Sequence, residues 1–507
     1  MLLPPSLSFS SPSSSISCLT TASVVRFSGF PLLLSASLIC GMNSSQAAQT
    51  ETTGTKILNI DNQKFNACLD NLVQTGPFTG VKDTFNQYRP LQGDPSVLEA
   101  LDYQPEFAKE PWDYLASLVD EERVIDGINA SEKYADILAR IESEYGVNRY
   151  DVLGVWGVES DFGTKLGKKD VVDSLATLSC FGRRQSYFRG EYVSALKILK
   201  QGDIAKADFK GSWAGAFGQT QFMPSTFLQL AQDFDGDGRK DLVNSQADAL
   251  ASTANFLKNS GYKPNQPWGY EVRLPTSINA KNDRKNKQPM SHWRSLGITL
   301  ADGNPLPDTL AAAGLFLPSG KNGPAFLVGR NFDAFYAYNA SENYALAIAH
   351  LSQQIEKKDT HVDFATPWPT DDPGLSRKES REVQEALNLL GYDIGEADGI
   401  IGDDTRRAIQ KYQADNGLEP DGKAGKKIHQ HLMEKSAELK QVQSEQSTED
   451  AELDSEDTIS TGTSNSSAKA LNAKSGLSDL FKNKSLLAIA LSLLVLLAII
   501  VVGKRKR

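Results

Sequence analysis

Between residues 59 and 360, apolar positions return every three or four residues, in runs broken by Gly, Pro and short polar clusters. That pattern predicts a chain of amphipathic helices rather than alternating strands. The clearest runs are 97–107, 112–119, 134–145, 171–178, 187–204 and 344–355. In residues 151–163, DVLGVWGVESDFG, the apolar positions Val152, Val155, Trp156 and Phe162 place Glu159 near a helix end, with Gly163 as the expected stop. From 261 to 318 the period fades, and only PWGYEVRLP has strand character. A Pro/Asp-rich linker at 361–374 is followed by three short helical runs in 375–433. The pattern is that of a mostly α protein: one large helical domain and a small three-helix module.

The two ends of the chain pattern differently. Residues 1–48 read as a signal or targeting segment: Arg26 precedes an apolar stretch, and SQAAQ offers cleavage after Ala47 or Ala48. An uncleaved N-terminal anchor is the alternative. Residues 434–484 are acidic and then Ser/Asn/Gly-rich, a composition that predicts a disordered spacer. Residues 485–503 are apolar and free of charge, and KRKR follows at 504–507. These predict one transmembrane helix with a short basic cytoplasmic tail, leaving the body on the other side of the membrane.

Composition narrows the classes of function. The chain of 507 residues has a formal net charge of −10, which argues against a nucleic-acid binder. Four cysteines form no metal-binding pattern. Cys18 and Cys40 fall in the targeting segment; Cys68 and Cys180 can pair in an exported protein or stay as buried thiols.

Candidate chemistry centres on Glu159. A carboxylate set among Trp156, Val158 and Phe162 is expected to have a raised pKa, as a general acid needs, although a Glu beside apolar positions is also what any amphipathic helix surface supplies. The stretch GSWAGAFGQTQFMPSTF at 211–227 offers Ser212, Gln219 and Gln221 on glycine- and alanine-rich walls, suited to a neutral polyhydroxyl ligand. Tyr336, Tyr338, Asn339, Ser341 and Tyr344 form a polar-aromatic group of the kind that stacks on sugar rings, or a helical core face. Arg183 and Arg184 can meet acidic groups or solvent. DFDGDGRKDLVN at 233–244 puts Asp233, Asp235, Asp237 and Asp241 at calcium-loop positions, with the Arg239 carbonyl between them; Asn244 stands where a bidentate acid is usual. A structural Ca2+ or Na+ is its candidate occupant, and an empty Asx-rich turn the alternative.

The segments VWGVESDFG, RRQSYF, SWAGAFGQTQFMPST and YNASENYA together resemble, in order, the lytic murein transglycosylase B family. Residues 378–430 resemble the peptidoglycan-binding module often joined to such enzymes. The resemblance implies a lysozyme-like fold over 59–360, a binding module at 375–433 and no required cofactor. It also implies cleavage of the MurNAc-GlcNAc bond by Glu159 as acid and then base, leaving 1,6-anhydromuramoyl ends. By the same matching, Ser212 and Gln221 would bind the glycan and Arg183 and Arg184 the stem peptide or lactyl group. Tyr338, Asn339 and Tyr344 would line the cleft. Asp161, close to Glu159 in sequence, is not expected to be its catalytic partner. Expected partners are peptidoglycan strands, the membrane through the C-terminal helix, and cell-wall synthesis or division proteins. The expected location is the periplasmic face of a Gram-negative inner membrane. The rival readings are a non-catalytic wall-binding scaffold and a hydrolytic muramidase.

Overall fold

A computed structural model describes residues 60–102, 109–278 and 281–456. The expected signal segment, transmembrane helix and basic tail lie outside these residues. Among the described residues, no helix is long and apolar enough to cross a membrane.

The helices that build the site are α1 (Asn62–Leu72), α2 (Glu121–Lys133), α3 (Arg149–Ser160), α4 (Val171–Cys180), α5 (Gln185–Gln201), α6 (Gln246–Asn259), α7 (Arg330–Asn339) and α8 (Glu342–Lys357). They serve two cores. One gathers α3, α6 and α8 around Val152, Val155, Trp156, Leu250, Leu346 and Leu351. The other packs α1, α4 and α5 around Phe65, Leu175, Tyr192 and Leu196, with Phe217 and Phe227. Tyr338 and Phe256 pack against both, so the two cores meet beside α7. Cys68 and Cys180 form a disulfide that ties α1 to the end of α4, which resolves the pairing the sequence left open.

Helix α3 carries two glycines for a packing reason. A Cβ at Gly154 would sit 2.8 Å from the Ile348 carbonyl oxygen, and one at Gly157 would sit 2.8 Å from the Leu351 side chain. Helix α8 can therefore lie directly against α3. Val152, Leu153, Val155 and Trp156 are buried there, each contributing roughly 1.5–3 kcal/mol by area. The helix stops at Ser160, earlier than the glycine at 163 suggested, because Asp161 caps it in the left-handed conformation at φ 53°.

The aperiodic region holds more strand than expected. Strands β1 (Gly269–Arg273), β2 (Asp283–Pro289), β3 (Thr299–Leu300), β4 (Ala312–Phe316) and β5 (Ala325–Val328) form an antiparallel sheet in the order β2-β4-β5-β1-β3. Leu327 lies opposite both Tyr270 and Leu315, which sets the central register. The hydrophobic pattern does not reveal this sheet because DRKNKQP in β2 has no apolar alternation; the buried AAGLF and AFLV strands supply the apolar face. Expected helix 97–107 is also shorter: Pro95–Glu99 is helical, Ala100–Asp102 is a single tight turn, and 103–108 lie outside the described residues.

The small module consists of α9 (Arg377–Leu389), α10 (Asp403–Asp415) and α11 (Lys426–Glu456) around Val383, Leu387, Ile409, Tyr412 and Leu432. Helix α11 runs into the segment expected to be a disordered spacer. Residues 434–456 contain no Gly or Pro and are rich in Glu, Lys, Gln and Ala, so helix propensity outweighs their polarity. The linker is not a free tether either. Val362 accepts a 2.7 Å hydrogen bond at its carbonyl from His350 Nε2, and Phe364 packs on the His350 ring at 4.2 Å.

Candidate active site

Glu159 is the penultimate residue of α3 and is half-buried. Its Oε1 accepts a hydrogen bond from the Tyr344 hydroxyl. Tyr344 stands in the first turn of α8, where Ser341 caps the helix by accepting from the Tyr344 N–H. With 3 % exposure, its phenol is desolvated and faces the Glu159 charge, and both effects push its pKa well up. It therefore stays protonated and remains a donor to the carboxylate. Tyr338 stacks on Tyr344, with ring centroids 6.2 Å apart, and donates to the Thr220 carbonyl at 2.8 Å. Burial, then the Glu159 charge, raise the Tyr338 pKa as well.

Asp161 has a different task. It is 7 % exposed, its Oδ1 accepts from Arg123 Nε at 3.1 Å, and its Oδ2 accepts from Arg377 Nη1 at 2.8 Å. Lys165 lies 3.4 Å away. Burial alone would raise its pKa, but Arg123, Arg377 and Lys165 outweigh that and hold it below the usual carboxylate value. A charge neutralised in this way does not serve as a second acid or base for Glu159.

Residues 212–223 form a chain of tight turns, and a short helix, Pro224–Leu230, follows them. Ser212 donates its N–H to the Ala216 carbonyl at 2.7 Å, and its Oγ accepts from Ala216 at 3.1 Å. Gln221 sits at φ 49° and spends its amide on the Leu166 and Gly218 carbonyls, at 3.1 and 2.8 Å. Ser160 Oγ donates to the Gln219 carbonyl at 2.5 Å, which pins these turns to the end of α3.

Asn339 is exposed at the end of α7. Arg183 and Arg184 are exposed beside the start of α5; Arg183 donates to the Leu101 carbonyl at 3.0 Å, and Arg184 lies 4.4 Å over the Tyr187 ring. Of the site residues expected from the sequence, Glu159 lines the cavity of about 440 Å³ beside it, whereas Arg183, Arg184, Ser212, Gln221, Tyr338, Asn339 and Tyr344 do not. That cavity runs from Val158, Glu159 and Asp161 to Arg377, Arg406 and Lys423 of the small module. The module's share of this wall was not visible in the sequence, because no local pattern joins residues more than 200 positions apart.

In the acidic loop, the carboxylates that converge are Asp233, Asp235 and Asp248, with ligand atoms within 4.8 Å of one another. This departs from the expected set. Asp237 accepts from the Arg239 N–H at 2.8 Å, and Asp241 Oδ1 accepts from the N–H groups of Val243 and Asn244, each at 2.9 Å. Asp248 was missed because it lies beyond the loop, in the first turn of α6. Three carboxylates gathered this closely can supply oxygen ligands to a hard cation, although Asp233 and Asp248 also accept from backbone N–H groups.

Comparison with known proteins agrees with this architecture. The transglycosylase SLT domain family matches residues 64–353, and a peptidoglycan binding domain family matches 376–432. The chain is 33% identical over 246 residues to the membrane-bound lytic murein transglycosylase B of Escherichia coli, covering 48% of this chain and 66% of that protein. It is similar to SltB3 of Pseudomonas aeruginosa in complex with NAG-anhNAM-pentapeptide: 40% identity, TM-score 0.56, 73% of this chain and 98% of that one. It is also similar to the Escherichia coli lytic transglycosylase Slt35 in complex with calcium, at 30% identity and TM-score 0.50, over 59% of this chain and 95% of that one. This chain belongs to the SLT-domain lytic transglycosylases, lyase-type enzymes with a mostly helical, lysozyme-like fold.

Proposed function

We propose that Glu159 performs both proton transfers in cleavage of the bond between N-acetylmuramic acid and N-acetylglucosamine. As an acid it protonates the glycosidic oxygen, and the C1–O bond breaks. As a base it then takes the proton of the muramoyl 6-hydroxyl, whose oxygen bonds to C1. The product is a 1,6-anhydro end, formed without water. Two-carboxylate glycosidases use the second carboxylate as base or nucleophile; here the neighbouring acid, Asp161, is bound to two arginines. The observation that carries the reading is the Tyr344 hydrogen bond to a half-buried Glu159 at the edge of a cavity. The complex of SltB3 with an anhydro-sugar peptide supports the same product type.

In this reading Ser212, Gln221, Tyr338, Asn339 and Tyr344 border the glycan, and Arg183 and Arg184 meet groups farther along the strand. The module at 375–433 holds the wall. The segments at 1–48 and 485–503 deliver the body to the periplasm of a Gram-negative cell and anchor it to the inner membrane. Asp233, Asp235 and Asp248 would hold a structural cation, which takes no part in the chemistry.

The test is digestion of purified peptidoglycan with the full chain in detergent, with the released muropeptides weighed by mass spectrometry. Anhydromuramoyl ends are expected. Reducing ends would instead indicate a hydrolytic muramidase, and no release a scaffold. Glu159→Gln should abolish release and still bind sacculi; substantial residual turnover would remove Glu159 from its role.

A further inference from the structure

The turn that follows Glu159 is conformationally demanding. Asp161, Phe162 and Gly163 all have positive φ, at 53°, 55° and 84°. For the two non-glycine residues this backbone costs on the order of 1 kcal/mol each and persists only where surrounding contacts hold it. Some of the hold is local. The Asp161 N–H donates to the Gly157 carbonyl at 3.0 Å, and the Gly163 N–H donates to Ser160 Oγ at 2.9 Å.

The rest comes from far along the chain. Arg377, the first residue of α9 in the small module, donates to Asp161 Oδ2 and also lies within ion-pair distance of Asp120, Glu122 and Asp126 on and beside α2. Arg123 of α2 takes the other oxygen of Asp161. Asp161 is thus clamped between a catalytic-domain arginine and a module arginine. Both ends of the Arg377–Asp161 pair are largely shielded from solvent, with side-chain exposures of 13% and 7%, so salt screens the pair weakly.

We infer that Arg377 is a positioning residue for the transglycosylase reaction: the wall-binding module, through Arg377 and Asp161, fixes the turn that aims Glu159. The inference rests on the role of Glu159 proposed above. It makes the module part of the active site's support, beyond any part it plays in holding the wall.

The experiment measures kcat and KM of the full chain on a short, soluble glycan fragment, alongside binding to intact sacculi. Arg377→Ala is expected to lower kcat on the short fragment about 10- to 100-fold with a much smaller change in KM, the signature of a misplaced catalytic group. Arg377→Lys, which keeps the charge and loses the planar fork, should restore part of it. Lys427→Ala, which removes an exposed pair with Asp371 inside the module and linker, should match the unaltered chain.

Asp161→Asn and the double variant complete a cycle whose expected result is strong non-additivity in kcat. Thermal melting of each variant identifies any that is unfolded. If Arg377→Ala unfolds the module, the kcat of the folded Asp161→Asn variant decides: a loss like that above supports the positioning role, and an unchanged value overturns it. For folded variants, an unchanged kcat on the short fragment with weakened sacculus binding, or additive single effects, would also overturn it. Turnover persisting in Glu159→Gln would instead undo the assignment of Glu159 on which the inference stands.

Discussion

The Tyr344 hydroxyl is a neutral donor to Glu159 in a partly desolvated place, and such a bond is worth about 1.5–3 kcal/mol to the carboxylate left once Glu159 has given up its proton. Tyr344→Phe keeps the ring stack on Tyr338 and deletes only the hydroxyl. Its kcat on peptidoglycan is expected to fall about 10- to 100-fold with the melting temperature nearly unchanged; wild-type kcat would show that the hydroxyl is dispensable. Two other buried groups contribute opposing pH dependences. Asp151, in the first turn of α3, accepts from Tyr262 at 2.5 Å and Ser352 at 2.7 Å, yet burial raises its pKa to about 6. His350, on α8, is lowered to about 4, also by burial. A raised acid withdraws stability as pH climbs from about 4 to 6, whereas a lowered histidine withdraws it as pH falls from about 6.5 to 4. The two slopes oppose each other in one window, each worth about 3 kcal/mol. Relative to the unaltered chain, denaturant melts of Asp151→Asn should lose more stability on acidification over that window, and those of His350→Asn should lose less. Parallel profiles in the two variants would contradict this account.

At the scale of the element, α3 joins packing to chemistry. Its apolar face and two glycines seat it against α8, which brings Tyr344 to the carboxylate near the end of α3. The acidic loop is a second element with its own logic. Its backbone is drawn in by its own carboxylates: Asp233 accepts from the N–H groups of Gly236 and Gly238 at 2.8 and 2.9 Å. Asp248 fastens the loop to α6 through Phe234 and Asp241. Calcium is expected to raise the melting temperature in proportion to the logarithm of its concentration above the dissociation constant, and Asp248→Asn to flatten that response. A calcium-independent melt in the unaltered chain would argue for a turn that needs no ion.

For the whole molecule, the Cys68–Cys180 bond closes a span of 112 residues and lies in the core opposite the one that holds α3. Constraining so long a loop is worth about 5 kcal/mol in the chain-entropy account. The Cys68→Ser/Cys180→Ser pair should lower the unfolding free energy by a comparable amount, read from urea melts, while a folded sample keeps its kcat. Reductant should destabilise the unaltered chain and leave the double variant unaffected. The module adds its own core and meets the catalytic domain through Arg377 and Arg381, which pairs with Glu122.

Local physics wrote much of this protein into its sequence. Helical spacing located α3 to α5 and α8, the apolar setting singled out Glu159, and four motifs in order pointed to the family. These features depend on residues close together in the chain, where periodicity and side-chain chemistry act directly. The sheet was illegible because β2 is polar and takes its place only by pairing with buried partners. Asp248 joined the acidic loop, and Asp161 came to be held by Arg123 and Arg377, through contacts made when distant segments packed. The early end of α3 has the same origin: Asp161 adopts a left-handed backbone that a sequence reader assigns to glycine. Sequence determined the candidate acid, Glu159, and the helices around it. Tertiary structure decided what surrounds that residue, since the ion pairs on the adjoining turn join residues 123, 161 and 377, which only folding brings together.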